Sequence, residues 1–151
     1  MVDVDLVAAK LTELSSRVQR VREHVPREIE EMKSNQDTLD LVAFNLMLAV
    51  QSCLDIASHI IADEEWAVAN TLGDSFERLQ QHGVLSQAIA QQLRQAVGLR
   101  NVVAHGYAGI DLEACFQAAT KGLADLDAFA REVGTWLASR AKLESPSTSS
   151  S

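Results

Sequence analysis

From Leu39 to Ile61 the apolar residues Leu39, Val42, Ala43, Leu46, Val50, Cys53, Leu54, Ala57, Ile60 and Ile61 recur at steps of three and four, the period of one face of an α-helix. No proline or glycine interrupts this stretch. A helix of about 25 residues runs roughly 38 Å, long enough that every other element of a small domain has to pack along it. Leu41, Phe44 and Leu48 lie off the main stripe. An apolar arc that broad belongs to a helix at the centre of a bundle or shared with a second subunit. Ser34-Asn35-Gln36-Asp37 precedes it as a break rich in capping residues. Asp63-Glu64-Glu65 closes it with acids, against the preference of the helix dipole for cations at that end, and reads as a solvated charge run.

The remaining segments supply partners for this helix. Val7, Leu11, Leu14, Val18, Val21 and Val25 alternate steps of four and three, the narrow seam of a helix packed nearly parallel to another. Pro26 stops or kinks it, and Pro26 to Lys33 forms a short second piece. Trp66 to Gly73 is a connection. Asp74-Ser75-Phe76-Glu77 has the form of a capping box for a short helix ending near Gly83. Ser86 caps a helix with the stripe Ile89, Leu93, Ala96, Arg100, Val103, and Gly106 stops it. Asp111 caps a final helix whose core face is Leu112, Cys115, Phe116, Ala119, Leu123, Leu126, Ala130, Val133 and Leu137, with Phe129 and Trp136 packing beside it. The expected architecture is all-α: an up-and-down bundle of four main helices plus a short one. Residues 1–142 form one domain, and the serine-rich 143–151 cannot build a core and forms a disordered tail.

With 47% hydrophobic and 23% charged residues among 151, the chain has an ordinary globular composition. No uninterrupted apolar run approaches the ~18 residues of a membrane span, and Met1-Val2-Asp3-Val4-Asp5 lacks the basic region of a secretory signal. A cytoplasmic location without membrane contact is expected. Cys53 and Cys115 fall on apolar stripes and read as reduced core residues. The formal charge of −8 excludes a generic nucleic-acid coat, whose affinity comes from accumulated Lys and Arg. The charge is uneven, however. Residues 75–110 hold Arg78, Arg94 and Arg100 against Glu77, a local 3 − 1 = +2, while the remainder is 10 − 20 = −10. An acidic body with one basic segment points to a confined anion site.

That segment ends in Arg100-Asn101-Val102-Val103-Ala104-His105-Gly106-Tyr107. Arg100 stands where the stripe calls for an apolar residue, so either a carboxylate lies opposite it or the stripe opens onto a cleft. Asn101 and His105 share a face if the helix continues. Tyr107 is the single tyrosine of the chain and follows a glycine. His24, His59, His82 and His105 are scattered, without the Glu-x-x-His or Cys-x-x-Cys pairs of helical metal sites. Arginine and histidine without a metal suit RNA cleavage by internal attack: histidine moves protons near neutral pH, and arginine clamps phosphate oxygens bidentately. Asn101 can orient the histidine or bind the phosphate. One Arg-His set is half of an acid–base pair, and a two-fold dimer supplies the other half.

These eight residues resemble the Arg-Asn-x-x-x-His-x-Tyr signature of HepT-like proteins, a branch of the HEPN superfamily. The resemblance extends to Asp55-Ile56-Ala57-Ser58-His59-Ile60-Ile61, to Ser75-Phe76 with Leu79-Gln80-Gln81-His82-Gly83-Val84-Leu85, and to the last helix from Ile110-Asp111; it covers roughly residues 5 to 138. It implies the toxin of a bacterial or archaeal toxin–antitoxin module, a homodimeric endoribonuclease needing neither metal nor cofactor. Arg100 and His105 match the family's catalytic positions and Asn101 its polar motif residue. Tyr107 matches the tyrosine that an MNT-type nucleotidyltransferase antitoxin modifies with AMP. The alternative implied by other relatives is a noncatalytic module that holds a nucleotide or docks a nucleotidyltransferase.

Overall fold

The structure, a computed structural model, describes residues 1–106 and 108–144. Seven helices follow one another: α1 (Val4–His24), α2 (Ile29–Ser34), α3 (Gln36–Asp63), α4 (Asp74–Gln81), α5 (Gln87–Ala104), α6 (Leu112–Ala119) and α7 (Leu123–Glu144). There is no strand among the described residues. The long central helix is α3. Asn35 caps it, its side chain accepting from the Thr38 amide at 3.2 Å, and α1, α4 and α5 pack along its length. Its apolar residues Val42, Ala43, Ala49, Cys53, Ile56, Ala57 and Ile60 are fully enclosed.

By length and a mean hydropathy of 1.6, α3 would pass for a membrane span, a likeness that a search for uninterrupted apolar runs misses. Its apolar surface is instead taken up by the bundle, which buries 61% of its most apolar stretch.

The seam of α1 packs on α3 through Val7, Leu14, Val18 and Val21, all buried. The helix ends at His24 because Pro26 holds Val25 extended, at φ −66° and ψ 127°. Between α4 and α7, Phe76 and Phe129 meet edge to face, with centroids 5.9 Å apart.

Three local expectations need correction. The acidic end of α3 is not merely solvated. Glu64 is only 13% exposed and pairs with Arg140 of α7 at 3.2 Å, while Asp63 accepts from the Asp3 amide at 3.0 Å. Glu65 takes the left-handed conformation (φ 58°), so that its own amide reaches the Ala62 carbonyl and that of Trp66 reaches Ile61. This is the Schellman closure usually made by glycine. Second, Asp74 does not cap α4; Gly73 occupies that position, and Asp74 and Glu77 both turn to Arg94, at 3.3 and 3.1 Å. Third, the expected final helix is two, broken at Thr120-Lys121-Gly122. The Gly122 amide folds back onto the Gln117 carbonyl at 2.9 Å. A Cβ at Gly122 would lie 2.7 Å from the Ala118 oxygen. The break thus depends on a residue without a side chain. Asp111 does cap α6 as expected, accepting from the Ala114 amide at 3.1 Å. At the other end α7 continues to Glu144, and residues 145–151 lie outside the described residues.

A second aromatic group sits beyond the end of α3. Trp66 stacks on His82 at 3.9 Å and meets Trp136 edge-on at 6.0 Å. The Arg140 guanidinium lies 5.0 Å from the Trp136 ring.

Candidate functional site

The last turn of α5 faces the middle of α3, which places Arg100 against Gln51. Ser86 starts α5, its hydroxyl accepting from the Ile89 amide at 3.3 Å, and Ala90, Leu93, Val97 and Val103 are its buried residues. Arg100 is half-buried beside them. Its Nε and Nη2 donate to Gln51 Oε1 at 3.0 and 2.7 Å, and its Nη1 donates to Asn101 Oδ1 at 2.8 Å. Gln51 in turn donates from Nε2 to Asp55 Oδ1 at 2.9 Å.

Of the two outcomes foreseen for this arginine, an opposing carboxylate or an opening, the structure has the opening. Two amides hold the side chain, and it lines a groove of about 520 Å³ with Phe44, Met47, Leu48, Gln51, Val103 and Ala104. A guanidinium carries five N–H bonds. Among the described residues three are used, with one on each terminal nitrogen not engaged there. A guanidinium presented in this way can donate to phosphate oxygens.

Asn101 is therefore engaged with Arg100, and no side-chain bond to His105 is seen among the described residues. His105 is the C-cap of α5, with φ −98° and ψ 18°; its amide still reaches the Asn101 carbonyl at 3.1 Å. Its side chain is exposed. Gly106 ends the helix as foreseen, at φ 92°, with its amide on the Val103 carbonyl. The chain can turn there because this left-handed conformation needs a residue without Cβ. Arg100 and Asn101 are thus joined directly, and His105 follows one turn later, just past the groove lining. Tyr107 lies outside the described residues.

The basic excess around the motif is reduced by one, since only Arg94 meets carboxylates. Arg94 is taken up by Asp74 and Glu77, and Arg78 Nη1 donates to Gln81 at 2.8 Å. Of the three arginines expected to form a confined anion site, Arg100 is the one that lines the groove. Gln51 was not singled out from the sequence, and Asp55 entered only as the first residue of a stretch that carries the family resemblance. They read there as ordinary polar positions on the outer face of a long helix, and their spacing of four residues was the one available signal. Burial pushes the Cys53 thiol well above its ordinary range and that of Cys115 up to about 11, which disfavours the reactive thiolate at both.

The bundle shares its fold with solved structures of toxin–antitoxin proteins. It aligns with a crystal structure of a toxin–antitoxin with AMP-PNP at a TM-score of 0.81, over 87% of this chain and 98% of that one at 24% identity. A structure of a tri-AMPylated Shewanella oneidensis HEPN toxin in complex with MNT antitoxin aligns at 0.79, over 89% and 99%, at 25% identity.

The family model for ribonuclease HepT-like proteins matches residues 14–133, and the chain belongs to that family. It is similar to the mRNA nuclease HepT of Shewanella oneidensis, 26% identical over 83% of this chain and 93% of that protein. It is also similar to the tRNA nuclease HepT of Aphanizomenon flos-aquae, 28% identical over 61% and 63%.

Proposed function

We propose that this chain is the toxin of a toxin–antitoxin module, a metal-independent endoribonuclease of the cytoplasm that works as a homodimer and is controlled by an MNT-type nucleotidyltransferase. Membership of the ribonuclease family and the relatives named as mRNA and tRNA nucleases support the activity. The observation that carries the chemistry is the Arg100 guanidinium, held on three of its N–H bonds among the described residues and lining a solvent-facing groove.

In the reaction the ribose 2′-oxygen attacks the neighbouring phosphorus and the bond to the 5′-oxygen breaks, giving a 2′,3′-cyclic phosphate and a 5′-hydroxyl end. The pentacoordinate intermediate carries extra negative charge on the oxygens that Arg100 would clamp. His105, exposed beyond the helix end, takes the 2′-hydroxyl proton or returns one to the leaving oxygen. Asn101 keeps the guanidinium in place.

One histidine serves one of these two transfers. The second comes from a partner subunit. Phe44, 50% exposed, lies with Met47, Leu48, Val103 and Ala104 in the groove beside Arg100, an apolar surface that a two-fold interface would cover while bringing both motifs together. Tyr107, two residues past His105, is the AMP acceptor in this reading; a charged nucleotide there repels the RNA backbone as a phosphoryl group would.

The deciding experiment is RNA cleavage by the purified protein with a chelator present. Cleavage is expected, and loss of it in Arg100→Ala and in His105→Ala. Cleavage that disappears with the chelator, or survives in both variants, refutes the reading. Stable binding of a nucleotidyltransferase by a protein that never cleaves RNA identifies a noncatalytic module instead.

A further inference from the structure

We propose that Gln51, itself held by Asp55, is the positioning residue for the Arg100 guanidinium, and that it acts through a neutral amide so that the arginine keeps its full charge for a phosphate. The proposal rests on the RNA-cleavage reading of the groove.

The hydrogen-bond directions leave one arrangement. Arg100 can only donate, and an ionised Asp55 can only accept. Gln51 therefore has to present its oxygen to Arg100, at 3.0 Å from Nε and 2.7 Å from Nη2, and its nitrogen to Asp55, at 2.9 Å. Turning the amide over would oppose donor to donor on one side and acceptor to acceptor on the other, so the network itself assigns the two atoms. Gln51 and Asp55 are four residues apart on α3, hence neighbours on one face of a single rigid helix. Arg100 comes from α5. The α3 pair is a preformed cradle into which the other helix sets its arginine.

The order of the groups in this relay also matters. A carboxylate at position 51 would accept the same two N–H bonds, but as an ion pair it would cancel much of the guanidinium's charge. Here the carboxylate stands one residue behind, and the group in contact is uncharged. The cradle fixes the Nε side of the guanidinium plane, and Asn101 fixes Nη1 through a single bond. Among the described residues one N–H on each terminal nitrogen remains. Orientation of this kind acts on the transition state, where a misplacement of about 1 Å can cost on the order of 100-fold.

Two measurements on the full chain test this: RNA-cleavage kinetics with a chelator present, and the nitrogen-15 resonance of Arg100 Nε–H with its exchange rate. In the wild type the Nε–H is expected to exchange slowly. Gln51→Leu, of similar volume without an acceptor, is expected to lower kcat roughly 10- to 100-fold, with a smaller change in KM and loss of the slow exchange. Gln51→Glu is expected to keep the slow exchange while raising KM, because the acceptor remains and the net charge falls. Asp55→Ala should weaken both readouts, and Asp55→Asn should restore them, since its carbonyl can still accept from Gln51.

A folded Gln51→Leu with wild-type kcat and an unchanged Arg100 resonance overturns the positioning role. A Gln51→Glu with wild-type KM overturns the part assigned to neutrality, and it keeps the question decidable if Gln51→Leu does not fold. If the wild type cleaves no RNA, the functional reading fails. The exchange rates in Gln51→Leu and Gln51→Glu still decide whether Gln51 holds Arg100.

Discussion

Replacing Gly122 by alanine tests the break that separates α6 from α7. The added Cβ would lie 2.7 Å from the Ala118 carbonyl oxygen, 2.8 Å from its Cα and 3.1 Å from its carbonyl carbon. These are backbone atoms of α6, so no flexible side chain can swing aside, and the turn has to open or the helix end has to shift. Overpacking of this kind costs about 1–3 kcal/mol. For a domain of this size each kcal/mol moves Tm by about 2–4 °C, which predicts a fall of roughly 2–12 °C in Gly122→Ala. Gly134, inside α7, is the control: a Cβ there meets nothing within 4 Å. Gly134→Ala should gain about 0.5–1 kcal/mol from helix propensity alone and melt roughly 1–4 °C higher. Thermal unfolding followed by circular dichroism, at one protein concentration because association raises Tm, compares the three proteins. Gly122→Ala melting level with or above the wild type would show that the chain does not pass against Ala118, and the account of the break would be wrong.

Arg100→Lys keeps the positive charge but replaces a planar fork by a point charge; RNA cleavage should fall by about 100-fold or more, and lysine supporting the wild-type rate would contradict bidentate clamping. Asn35→Ala removes the cap of α3 and should cost about 1 kcal/mol in urea unfolding, with an unchanged midpoint counting against the Asn35–Thr38 bond. The thiols predict alkaline weakening. Cys115 has a folded value of about 11 against about 9 for the free group, so between those values the unfolded chain has lost a proton that the native one keeps. The stability from this group is complete below about pH 9 and declines as pH rises toward 11. A thiol reagent at pH 8 should label Cys53 and Cys115 only as fast as the protein unfolds, and rapid labelling of the native protein would contradict their burial.

The features legible in the sequence are those set by local periodicity. The α3 stripe, the stop at Pro26, the caps at Ser86 and Asp111 and the end of α5 at Gly106 each depend on residues within a turn or two of one another. The break at residues 120–122 was hidden because the stripe keeps its phase across it: Ala119, Leu123 and Leu126 stay four and three apart whether or not the helix continues. Asp74 has the residue type and spacing of a cap, but Arg94 outbids the first-turn amides for it, and the two meet only through the packing of α4 on α5. The same holds for the site. Arg100 is conspicuous because it interrupts an apolar stripe, whereas Gln51, its partner 49 residues away, acquires a meaning only when α5 lies against α3.

Both tryptophans of the chain, Trp66 and Trp136, belong to the one aromatic group with His82 and Arg140. Tryptophan fluorescence of this protein, excited selectively over Tyr107, is consequently a single-site signal, emitted where the end of α3, the end of α4 and α7 converge. Trp66 follows Gln51 by fifteen positions, thirteen of them to the α3 cap at Glu64, a rise of about 20 Å along the helix axis. A ligand confined to the groove beside Arg100 is separated from Trp66 by that length of helix. A change in tryptophan emission on binding of such a ligand therefore measures a displacement carried along the central helix or through α7, and constant emission marks an event confined to the groove.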